Sequence, residues 1–83
     1  MQPTSRLEIP RTAMKLHALI SDLRWRVQLL DSEIQDEEKR TGMSNVSNTA
    51  YPILARNLRT RRGNLLATIT MLERQLAETD VAA

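Results

Sequence analysis

The chain has no cysteine, a single histidine, two glycines and three prolines in 83 residues, and its only aromatic side chains are Trp25 and Tyr51. Without cysteine there is neither a disulfide framework nor a thiolate metal site. His17 has no second imidazole and no acidic residue at i+4 to complete a ligand set, so neither a metal nor a cofactor is expected. A chain of this length is one domain at most and sits near the lower limit for an independent apolar core. With disulfides and metals excluded, association with another chain is the remaining source of stability.

The scarcity of glycine and proline leaves long stretches without a breaker, which points to an all-α fold. No apolar run approaches the roughly 18 residues of a membrane span. The first ten residues contain Glu8, Pro3 and Pro10 and lack the apolar core of a signal peptide. A soluble, cytoplasmic protein is therefore expected. Twelve Lys and Arg against ten Asp and Glu give a formal charge of +2, so the basic pI reflects arginine content and does not by itself announce nucleic acid.

What is present is a heptad pattern. Residues 1–9 are expected to form a flexible tail, because Pro3 and Pro10 interrupt any helix there and the Ser5-to-Glu8 capping spacing leads into neither. Pro10 suits the first turn of a helix over 10–41, with Thr12 as an equally good N-cap. Within that span Ala13, Leu16, Ile20, Leu23, Val27, Leu30 and Ile34 alternate at spacings of three and four, a coiled-coil seam. Gly42 then offers a left-handed helix stop, and the asparagines and serines that follow give a loop over 42–48. A second helix is expected over 49–79, capped by Thr49, with residues 80–83 as a C-terminal tail. Its seam is Tyr51, Ala55, Leu58, Leu65, Ile69, Leu72 and Leu76, interrupted at one a position by Arg62.

A short connection makes the two helices antiparallel neighbours. Folding about Asn45 brings Ile34 near Ala55, Val27 near Arg62, Ile20 near Ile69 and Leu16 near Leu72. It also places Glu33 close to Arg56 and Asp31 close to Arg59, so that the acidic stretch from Asp31 to Glu38 pairs with the basic stretch from Arg56 to Arg62. Leu19, Leu54 and Leu66 widen the apolar stripe beyond what a two-helix contact covers. The simplest way to cover it is a homodimer of hairpins forming a four-helix bundle.

Arg56, Arg59 and Arg62 at i, i+3 and i+6 are candidate nucleic-acid contacts, with Trp25 between Arg24 and Arg26 as the one stacking aromatic nearby. Arg62 either snorkels outward or finds a carboxylate partner; Gly63 beside it either admits a neighbouring helix or marks a mild kink. Trp25 lies opposite the seam with Leu29 and Ala18 on the same surface, a candidate anchor for a protein partner unless Leu7 and Ile9 of the tail, or the second hairpin, cover it. Ser21 and His17 have no third member and no oxyanion pocket, and no glycine-rich phosphate loop is present, so no catalytic role is expected. The expectation is a small non-enzymatic interaction or regulatory protein, a dimeric helical adaptor or accessory subunit. The alternative is a regulator that binds RNA or DNA through its arginine face.

Overall fold

The computed structural model describes the backbone of residues 4–82 and the side chains of residues 11–79. Helix α1 runs Thr4–Thr41 and helix α2 runs Ile53–Ala82. They pack against each other as a hairpin 64 Å long and 17 × 13 Å across. Among the described residues there is no strand. No helix there is long and apolar enough to cross a membrane.

The seam forms the core. Near the open end, Ile20 and Leu23 pack on Ile69 and Leu72, with Leu16, Val27, Leu65 and Leu76 half-buried around them. Nearer the loop, Leu30 and Ile34 pack on Leu58, and Leu65 joins the two clusters. Tyr51 and Ala55 close the loop end, at 2% and 0% exposure. Leu19 and Leu66 remain 45% exposed, as residues flanking a two-helix seam should.

Three boundaries differ from the sequence reading. Helix α1 begins at Thr4 and runs through Pro10, so residues 4–9 are helical in place of the expected tail, and Met1–Pro3 lie outside the described residues. Pro10 loses its own bond to the carbonyl four residues back and crowds that carbonyl, yet the helix continues through it. At the other end α2 continues past Thr79 to Ala82, and Ala83 lies outside the described residues.

The third difference is the loop. Gly42 takes φ 70°, its amide donates to the Lys39 carbonyl at 3.3 Å and the Met43 amide donates to the Glu38 carbonyl at 3.1 Å, the paired bonds of a Schellman stop. Lys39 and Arg40 in that last turn complement the carbonyl end of the helix. Two linked asparagine turns follow. Asn45 accepts from the Ser47 amide through Oδ1 at 3.0 Å and from the Asn48 amide through its carbonyl at 3.0 Å. Asn48 repeats this with Ala50 at 2.8 Å and Tyr51 at 3.0 Å.

Thr49 is therefore inside a turn and caps nothing. Helix α2 starts only after Pro52, whose carbonyl accepts from the Arg56 amide at 3.0 Å. The reason is Pro52 itself, which disfavours helical geometry at the preceding residue, Tyr51. The loop thus spans 42–52, longer than the expected 42–48. Ile20 and Ile69 still share one core cluster, which Leu16 flanks beside Leu72, but Asp31 pairs about one helical turn further along α2 than expected.

Candidate interaction surface

The expected ion pairs are rearranged. Asp31 meets Arg62, Nη1 to Oδ1 at 2.6 Å, in place of Arg59. Arg59 instead reaches Glu38, Nη2 to Oε2 at 2.8 Å, and Glu33 has no contact with Arg56. Charge pairing between the acidic and basic stretches is present, but both expected partner assignments are corrected. A third interhelical pair, Arg24 with Glu73, closes the far end. These pairs are partly or largely solvated, so each adds little to stability. Their value lies in alignment, because any sliding of one helix along the other breaks all three.

Arg62 resolves its awkward a position by reaching Asp31, although its Nε is buried without a partner. Gly63 causes no break in α2, and a Cβ built there meets nothing within 4 Å. Within one hairpin neither a kink nor a close helix approach explains this glycine.

Tyr51 anchors a network that the sequence reading did not contain. Its hydroxyl donates to Glu38 Oε2 at 2.7 Å and accepts from Arg59 Nε at 2.8 Å. Arg56 and Arg59 hold their guanidinium carbons 5.4 and 5.8 Å from its ring centroid. The bonds from Arg59 and then from Tyr51 hold the Glu38 carboxyl below its ordinary range. The signal available in the sequence was a tyrosine at a seam position, since a buried phenol needs a partner for its hydroxyl.

The candidate nucleic-acid arginines are consequently engaged. Arg59 and Arg62 bond carboxylates, and Arg56 lies over Tyr51 with Nη2 3.4 Å from the Val46 carbonyl. Arg24 and Arg26, which bracket Trp25, pair with Glu73 and with Asp22 respectively, the latter at 3.1 Å. Trp25 is 59% exposed, and Leu29 and Ala18 are exposed beside it. Because the chain is helical from Thr4, the backbone at positions 7 and 9 lies about 24 Å or more along the axis from Trp25, which removes the tail as its cover. His17 and Ser21 are exposed on α1, and no group of three or more His, Cys, Asp or Glu side chains converges among the described residues.

The hairpin has two unlike sides. Arg24, Asp31 and Glu38 recur at seven-residue spacing on α1 and lie against Glu73, Arg62 and Arg59, so all three interhelical ion pairs stack along one face. On the opposite flank Leu19, Arg26 and Glu33 share a heptad position, as do Leu54, Arg61 and Thr68 on α2. There the helices bound a groove of about 400 Å³ lined by Leu29, Leu30 and Leu65, with Arg26, Glu33, Arg61 and Asn64 at its rim. No family model matches the chain, and neither a curated protein nor a solved structure matches it.

Proposed function

We propose that this chain is a small non-enzymatic interaction or regulatory protein, a homodimeric four-helix bundle that serves as an adaptor or accessory subunit. The observation that carries the reading is the amount of large apolar surface left uncovered along a continuous rigid hairpin: Leu19, Leu29, Leu54 and Leu66 are each 45–54% exposed, and Trp25 59%. A two-helix contact buries one row of side chains, and a second hairpin is the closed, symmetric way to cover the flanks. Trp25 points away from the seam and stays accessible in such a bundle, as an anchor for another protein.

Sedimentation equilibrium of the full chain at micromolar concentration tests the assembly. The expected mass is twice the 9.5 kDa of one chain, and a single-chain mass overturns the dimer. For the partner, Trp25→Ala is expected to keep the dimer mass and helicity while losing a protein retained from nuclease-treated lysate by the parent chain. The engagement of Arg59 and Arg62 by carboxylates supports the protein reading over the nucleic-acid one, because phosphate binding would have to displace Glu38 and Asp31. Weak retention on heparin at low salt is expected; tight retention that falls steeply with added salt would favour the nucleic-acid regulator instead.

A further inference from the structure

Two grooves of equal size run along the hairpin, and they are not equivalent as places to dock. The groove between Arg24, Gln28, Leu66 and Thr70 encloses about 400 Å³ and is crossed by the Arg24–Glu73 pair, on the face that also carries Asp31–Arg62 and Glu38–Arg59. Covering that face means desolvating the Arg24–Glu73 and Asp31–Arg62 pairs, whose side chains are 32–60% exposed, a cost that their mutual attraction does not reliably recover.

The opposite groove is free of interhelical ion pairs among the described residues. Leu29 and Leu65 lie in its floor, and Leu19 and Leu54 extend the same flanks toward its two ends. Its charges are two arginines, Arg26 and Arg61, and one carboxylate, Glu33, with Asp22 paired to Arg26 beside it. The two signs balance, so neither an acidic nor a basic partner is attracted as a whole. A surface that carries both signs in one groove is matched by itself.

We propose that this open groove is the contact face for a second copy of the chain, with Glu33 as the charge that fixes the pairing. The proposal rests on the dimer reading given above and assigns it a surface. Face-to-face packing of two hairpins about a twofold axis lays α1 either on the α1 of the other copy or on its α2. In the first arrangement an antiparallel crossing centred between Leu29 and Leu30 sets Glu33 against Arg26 of the other copy, because both lie equally far from that centre. In the second, Glu33 faces Arg61 of the other copy, at the level where the two already flank one groove. Either way each Glu33 gains an arginine across the interface, twice by symmetry. The face is large enough: over the 30 residues of α2, about 45 Å, and a width of 17 Å it is about 770 Å² in projection, close to the roughly 800 Å² per partner of a standard interface.

Two matched arginine substitutions and one distance measurement test this. Glu33→Arg and Gln28→Arg each introduce an arginine at an exposed position in opposite grooves, and neither residue takes part in an interhelical ion pair of the hairpin. By sedimentation, Glu33→Arg is expected to raise the dimer dissociation constant tenfold or more, and Gln28→Arg to leave it within about threefold. Equal effects, or the reverse order, overturn the face assignment while leaving the dimer standing. A parent chain that stays at single-chain mass overturns the dimer itself and leaves the groove to another occupant. Independently of any charge change, nitroxide labels at Asn64, on the rim of the open groove, should lie closer together in the dimer than labels at Thr70 in the other groove. Closer approach at Thr70 overturns the proposal.

Discussion

Tyr51 does three jobs at once: it fills the loop end of the core, it donates to Glu38, and it accepts from Arg59. Tyr51→Phe keeps the first and removes the other two. Since Arg59 still bonds Glu38 directly, no charge is stranded, and the expected loss is about 1 kcal/mol by urea denaturation. Glu38 ties the same cluster to pH. Its carboxyl is lowered in the folded chain, so its stabilisation is complete above the unfolded glutamate value of about 4.3 and is lost as pH falls through the lower folded value. Melting temperatures of the parent and Glu38→Gln should therefore converge between about pH 5 and pH 3, and a constant gap across that range contradicts the network. A seam tyrosine signals that its hydroxyl needs a partner, but the identity of Glu38 and Arg59 was not legible in the residues alone, because it depends on a register that the loop length sets.

The helices themselves were legible because their heptads are nearly unbroken: Ile20, Leu23, Leu30, Ile34, Leu58, Ile69 and Leu72 are the buried positions that the three-and-four spacing marks. Their ends were less so. The missed step was a local one, the bias that Pro52 places on Tyr51, and with it Asp31 pairs with Arg62 in place of Arg59 while Arg59 goes to Glu38. Asn45 and Asn48 each satisfy two amides, which is why the longer loop is as well bonded as the expected shorter one. The two glycines give opposite expectations at this scale. Gly42 sits at φ 70°, so Gly42→Ala should cost about 1 kcal/mol even though a Cβ there meets nothing. Gly63 is helical with the same open surroundings, so Gly63→Ala should gain up to about 1 kcal/mol. Urea midpoints moving in the same direction for both would contradict the two backbone assignments.

Across the whole molecule the stability problem is one of thickness. A rod 17 × 13 Å across has no interior beyond a single seam, and its second apolar flank faces water until something covers it. The apolar flank is visible in the sequence through Leu19 and Leu54, whereas the division into an ion-paired face, which also carries Leu66, and an open face required the true register. If a second copy covers the open face, folding and association become one equilibrium, and the melting temperature must depend on concentration. Each tenfold dilution then removes about 1.4 kcal/mol from the folded dimer. For a folding unit of two such chains this lowers the melting temperature by about 3–6 °C. Thermal melts followed by circular dichroism over a hundredfold range of concentration measure that slope directly. A transition that stays fixed across the range means that one hairpin folds alone.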